Sequence, residues 1–298
     1  MALLNTASDG LMNIFIVLFE IISDSQSGIG EASILAQCEP PGAGSESKVR
    51  QTLRRWTELD LFVTKNSRYY IGDKYRSLKP AREIDSLSRA RHAARSAVLA
   101  TQNNERFWEA TNSKAADLTR SLAWLLTQDV YDVKWPDLPD LEGRQLKLQD
   151  EELRTARNST RLAGLRSWAT FLGFMWEDQD RIAIDPTVAL QEVLGPTVLV
   201  ADEVPITSFI DGLATILPVI DTGAYRLEVE SNLDDTQYRK PPIGSLSTSL
   251  SRALIRLRRE QVIELKNRSD SKVSFSLMGP SNSSTADKVT HIARGQAF

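Results

Sequence analysis

One cysteine, Cys38, and two histidines, His92 and His291, are all that the 298 residues hold of the side chains most used for disulfides and metal centres. A lone thiol makes no internal disulfide, and two distant histidines supply no His-based metal site. Cys38 reads as a small, half-buried apolar residue. His92 reads as a helix-surface residue among arginines, and His291 as a near-terminal one. Also missing are a glycine-rich loop ending in Gly-Lys-Ser/Thr, a Gly-x-Ser-x-Gly elbow and a His-Glu-x-x-His pair. Gly28-Ile29-Gly30 lacks the third glycine and leading strand of a dinucleotide fingerprint, so it reads as a turn. The acid runs Asp150-Glu151-Glu152 and Asp234-Asp235 could in principle hold Mg2+ in a nuclease, but they read as solvated surface. The expectation is a non-enzyme with no catalytic residue, metal or cofactor.

Long apolar runs are absent too. The longest, residues 11–22, is broken by Asn13 and Glu20 and falls short of the roughly 20 residues a membrane span needs. No Lys or Arg precedes Lys48, so the basic lead of a secretion signal is missing and the cytoplasm is the expected compartment.

What is present is an ordinary globular composition with uneven charge. Hydrophobic residues make 41% of the chain, charged residues 25%, and the net charge is −3. Residues 48–95 carry thirteen Lys or Arg against five acids, whereas residues 177–235 carry thirteen acids against Arg181 and Arg226. Polyanions respond to such local fields, because screening confines attraction to about 8–10 Å.

Three segments share one pattern: a basic amphipathic helix followed at once by two short β-runs around a polar turn. In residues 49–71 the apolar stripe is Val49, Leu53, Trp56 and Leu59, with Arg50, Arg54 and Arg55 expected to point away from it. The strands 61–64 and 68–71 flank Lys65-Asn66-Ser67. In residues 161–184 the stripe is Leu165, Trp168 and Leu172, and strands 174–176 and 181–184 flank an acidic tip. In residues 250–277 it is Leu250, Leu254 and Leu257, with strands 262–265 and 273–277 around a tip at 266–272. Aligning Trp56, Trp168 and Leu257 also aligns Leu53, Leu165 and Leu254, and then Phe62, Phe174 and Ile263.

Helix followed by hairpin resembles the winged-helix form of helix-turn-helix, in which that helix enters the DNA major groove and the hairpin is the wing. Upstream helices are expected after a Ser8 or Asp9 cap, over 31–38 before Pro40-Pro41-Gly42, around 118–130, over 146–153, over 205–220 and over 224–233. The resulting fold class is mainly α with short β-hairpins: tandem winged-helix units joined by helical connectors, elongated overall. The expected division is 1–77, winged helix 1; 78–113, helical connector; 114–190, winged helix 2; 191–279, winged helix 3; and 280–298, flexible tail.

The opening Leu3-Leu4-Asn5-Thr6-Ala7-Ser8-Asp9-Gly10-Leu11, the apolar helix after it, the hairpin near residue 70 and the total length resemble the DpdG family. DpdG proteins belong to bacterial gene clusters that insert 7-deazaguanine derivatives into DNA and restrict unmodified DNA. The resemblance implies an accessory DNA-recognition or assembly subunit of an anti-phage system, and it carries over no catalytic residue.

The expected DNA-contact residues are Ser47, Lys48, Arg50, Arg54, Arg55, Lys65 and Arg68 in the first unit, and Arg252, Arg256, Arg259, Lys266 and Arg268 in the third. The second unit, with its acidic tip, is expected to be structural or protein-binding. Expected partners are double-stranded DNA and other subunits of a defence complex, with no membrane partner; a homo-oligomer stays open. A scaffold without DNA affinity and a transcriptional regulator are the alternatives.

Overall fold

A computed structural model describes residues 3–4, 11–38, 46–148, 150–178, 181–195 and 198–298. The expected Ser8/Asp9 cap and the Pro40-Pro41-Gly42 stop lie outside the described residues. The first unit comprises α1 (Met12–Asp24), β1 (Ile29–Gly30), α2 (Glu31–Cys38), α3 (Glu46–Glu58), β2 (Phe62–Lys65) and β3 (Arg68–Ile71). Its antiparallel sheet has the order β1-β3-β2. Lys65 pairs with Arg68 across a two-residue tip, and both tip residues, Asn66 (φ 51) and Ser67 (φ 58), are left-handed. That geometry matches the right-handed twist of the strands it joins.

Next come α4 (Asp73–Arg76), α5 (Ser88–Val98), α6 (Ala116–Thr127), α7 (Leu138–Gln145), α8 (Ser159–Phe171), the hairpin β4 (Met175–Asp178) with β5 (Arg181–Ile184), and α9 (Thr187–Val193). Asn158 caps α8, its side-chain oxygen accepting from the Thr160 and Arg161 N–H groups at 2.9 and 3.1 Å. The helix expected over 146–153 is displaced: α7 ends at Gln145, and only the short turn Glu151–Leu153 follows. The expected division between 190 and 191 falls inside α9, whose residues are mostly buried.

The last unit comprises β6 (Glu203–Pro205), α10 (Ile206–Ile216), α11 (Ala224–Glu230), α12 (Thr248–Arg259), β7 (Ile263–Lys266), β8 (Phe275–Met278), β9 (Ser284–Val289) and β10 (His291–Arg294). Here the expected hairpin is corrected. β7 pairs with β10, not with the nearer β8, which pairs with β9. Residues 280–298 are therefore not an irregular tail. They contribute two strands, which bury Val289, Ile292 and Ala293.

With this pairing the first and last sheets match, β1-β3-β2 against β6-β10-β7. The helix exits match as well. The Leu61 N–H donates to the Trp56 carbonyl (3.0 Å) and the Val262 N–H to the Leu257 carbonyl (2.9 Å), with Asp60 and Gln261 left-handed just before. After the return strands, Gly72 donates to the Leu61 carbonyl and Gly295 to the Val262 carbonyl. A Cβ at Gly72 would lie 2.5 Å from the Asp60 carbonyl oxygen, and one at Gly295 would press still closer on that of Gln261. Gly295→Ala is therefore expected to cost about 1–3 kcal/mol. A thermal melt reads this, and an unchanged transition would show that β10 is not seated against α12's exit.

The nine aligned apolar positions are all interior, none more exposed than Trp168 at 3%. They do not form separate cores. Trp56 and Trp168, matching anchors of two units, meet each other at 5.3 Å between centroids, and Phe15 lies 4.2 Å from the first and 5.9 Å from the second. One apolar cluster runs from Leu3 and Leu4 to Ile292. The accessible surface, 14030 Å2 for 33.3 kDa, is close to the roughly 12,600 Å2 of a compact monomer of that mass. The elongated arrangement is thus corrected: the units join in one apolar cluster, the first and second through the contact of Trp56 with Trp168. The Leu3 and Leu4 N–H groups are tied to the buried Asp117 carboxylate of α6 at 3.1 and 2.6 Å.

Candidate nucleic-acid interface

The stripe of α3 faces the core through Val49, Leu53 and Trp56, so helical periodicity turns Ser47, Lys48, Arg50, Gln51 and Arg54 to solvent. Arg50 is 51% and Arg54 66% exposed. Arg55 is the exception: at 2% exposure it lies inside, its guanidinium 3.0 Å from Glu58. Its place on the same side as Thr52 and Trp56 removes it from any groove-facing set. Lys48 has no ion pair among the described residues, whereas Arg50 is paired with Glu31 and Glu46, and Arg54 with Glu58 at 3.3 Å. Exposed pairs of this kind are worth about 0–1 kcal/mol, so a phosphate can displace them.

The β2–β3 hairpin is held against the turn before β1. Arg68 donates to the Ser27 and Gly28 carbonyls (3.2 and 2.7 Å), and Tyr70 donates to the Ser27 carbonyl (2.9 Å). Lys65 is exposed beside Asp73 at 3.3 Å. Ser47, Lys48, Arg50, Arg54, Lys65 and Arg68 are therefore all exposed on the first unit.

Four of the five cations expected at the last unit's interface are engaged within the chain. Arg252 (3.2 Å) and Arg256 both bind Asp185, a 1%-exposed carboxylate placed between β5 and α9. Burial pushes the Asp185 carboxyl up, but hydrogen bonds from Thr187 and Arg256 outweigh it and hold it below the usual range. Lys266 pairs with Glu264, and Arg268 forks onto Glu203 at 3.0 and 2.7 Å. Arg259 is exposed without an ion pair among the described residues. On the second unit Arg166 is taken by Glu177.

Part of the positive charge over 48–95 is also interior. Arg91 and Arg95, one turn apart on α5, both grip Glu192 of α9, which has no exposed side-chain surface, at 2.6 and 2.9 Å. They also donate to the Phe171 and Leu172 carbonyls at the C-terminus of α8, at 2.8 and 2.9 Å, where a helix end favours cations. Asp85 adds a contact to Arg91 at 2.8 Å.

His92 lies in this cluster at 7% exposure, not on the surface as expected. Burial and then the charge of Arg95 push it down from 6.5 to about 4. The unfolded chain takes up a proton between about pH 6.5 and 4 that the folded chain refuses. Stability should therefore fall by up to about 3 kcal/mol as pH drops through that window. His92→Gln should flatten this part of the melting temperature–pH curve; an unchanged slope would assign it to other groups.

Glu192 and Asp185 escaped the sequence reading. The available signal was a single acid inside the apolar run 188–194 and another directly after a strand, since a charge in such a place is buried only when paired. Among the described residues no group of three or more His, Cys, Asp or Glu could hold a metal ion, and no helix is long and apolar enough to cross a membrane. Cys38 is partly buried, and burial pushes its thiol up.

Fold and surface together define a mainly helical protein with short antiparallel sheets, with several exposed cations on its first unit. The chain belongs to the DpdG-like family, whose model matches residues 1–271, as the opening residues led one to expect. No curated protein and no solved structure matches it.

Proposed function

We propose that this protein is a non-enzymatic, cytoplasmic DNA-binding accessory subunit of a Dpd-type DNA-modification and restriction system. In this reading it meets duplex DNA through a winged helix in its first unit. The observation that carries the reading is the order α1-β1-α2-α3-β2-β3 with its sheet β1-β3-β2, a winged-helix layout, and the solvent-facing Ser47, Lys48, Arg50 and Arg54 on the helix before the hairpin. Lys65 and Arg68 are the wing's contribution. Membership of the DpdG-like family supports the system-level role. The last unit repeats the sheet order, but Arg252, Arg256, Lys266 and Arg268 are engaged within the chain, which favours assembly over DNA as its role.

A second reading, docking to a partner protein, has support at the second unit, where Trp176 is 44% exposed on the hairpin beside Glu177 and Asp178.

Fluorescence anisotropy with a labelled blunt duplex at several salt concentrations tests the first reading. Binding should weaken as salt rises, and Lys48→Ala with Arg54→Ala should reduce the log–log salt slope by about 2, roughly 0.9 per phosphate contact. Arg252→Ala should leave the slope unchanged. Absence of salt-sensitive binding would reject the DNA reading and leave the docking one, which co-purification with a partner subunit would support.

A further inference from the structure

A cleft of about 290 Å3 opens beside the first hairpin, between the end of α1, β3 and the segment leading into α5. That is near the small end of ligand clefts, about 300–1,000 Å3, and fits one planar ring system with its substituents at the mouth. Its lining is selective in charge. Arg76 and Arg89 are exposed there, and no carboxylate lines it. A second cleft, beside α7, mixes Asp129, Asp132 and Asp137 with its cations and has no such preference.

The deep part is apolar, with buried Phe19 and Ile22, and two tyrosines complete the lining. Tyr70 is fixed in place by its hydrogen bond to the Ser27 carbonyl. Tyr75 is 3% exposed, and its hydroxyl is buried with no hydrogen-bond partner among the described residues. A native protein rarely leaves such a group unmet without a reason. Burial and then the charge of Asp60 push that hydroxyl up to about 12, so it stays a proton donor at physiological pH. Arg89 has no ion pair among the described residues, and Arg76 has only a 3.5 Å contact to the exposed Asp73.

We infer that this cleft binds a single nucleotide, its base against the partly exposed Tyr70, its phosphate on Arg76 and Arg89, and the unmet Tyr75 hydroxyl at the buried end of the lining. An aromatic face suits any base, while guanidiniums suit phosphate. The chemistry is the same whether the nucleotide is free or is an unpaired residue of a DNA strand. The inference extends the DNA reading to a second surface but does not share its contact residues.

The test titrates the full chain with each of the four deoxynucleoside monophosphates, with a blunt duplex, and with the same duplex bearing a short single-stranded overhang. Measurable binding of a monophosphate would identify a free nucleotide as the ligand. A preference of about tenfold for the overhang over the blunt end would identify the strand. In either case Arg89→Ala, at an exposed position, should remove about tenfold of the affinity, and Leu78→Trp, which fills the cleft, should abolish it. Lys48→Ala with Arg54→Ala should leave monophosphate binding, and the ratio between overhang and blunt end, unchanged. The inference is overturned if no monophosphate binds and the overhang adds nothing, or if both cleft variants bind as the parent does. Blunt-duplex binding alone would then leave the proposed function standing, and nucleotide binding without duplex binding would leave the cleft standing without it.

Discussion

Glu192→Ala should destabilise the protein by about 3–5 kcal/mol, enough to remove much of the stability of an ordinary domain. Glu192 is completely buried and neutralises Arg91 and Arg95, themselves almost without solvent contact. Asp85 can compensate Arg91 in part, but Arg95 keeps only the Leu172 carbonyl and the His92 ring nitrogen at 3.1 Å. Burial already pushes the Arg95 guanidinium down, with Glu192 the charge that opposes this. Without the carboxylate a buried cation has no counter-charge, which is the costly case.

Replacing Arg91, Arg95 and Glu192 together by methionine should recover most of the loss, since apolar side chains of similar size carry no desolvation cost. Urea unfolding of both variants checks the pair of expectations. A single variant as stable as the parent would mean that water reaches the cluster.

Trp56→Ala is the second large effect, at about 3–5 kcal/mol, from the loss of a fully buried aromatic and the cavity left behind. Its more informative form is a double-mutant cycle with Trp168→Ala. The two rings are 5.3 Å apart, so the two losses should fail to add, by about 0.5–1.5 kcal/mol. Additive losses would mean that each unit keeps its own core, contrary to the shared cluster around Phe15.

Much of the local architecture could be read from residue order. The stripes at 49–59, 165–172 and 250–257 produced α3, α8 and α12, and Asn66-Ser67 produced the first hairpin tip at the residues where a left-handed turn is cheapest. The hairpin of the last unit was not legible, because β-runs at 273–277 and 291–294 compete for β7. Pattern favours the nearer, but both runs are buried in the fold, and the one carrying Ile292 pairs with β7. On the candidate interface, periodicity placed Lys48, Arg50 and Arg54 outside but misjudged Arg55, which is interior on the same side as Thr52 and Trp56.

Residue order by itself determined the three basic helices, the first two hairpins and the positions of the apolar anchors, because helical and strand periodicities and turn chemistry are local properties. Only the tertiary structure decided which charges remain outside. Asp185 and Glu192, far along the chain from the arginines they hold, withdraw Arg252, Arg256, Arg91 and Arg95 from the pool available to a polyanion. An ion's partner depends on what the folded chain brings within a few ångströms in a low-dielectric interior, and no spacing rule along the sequence encodes that distance.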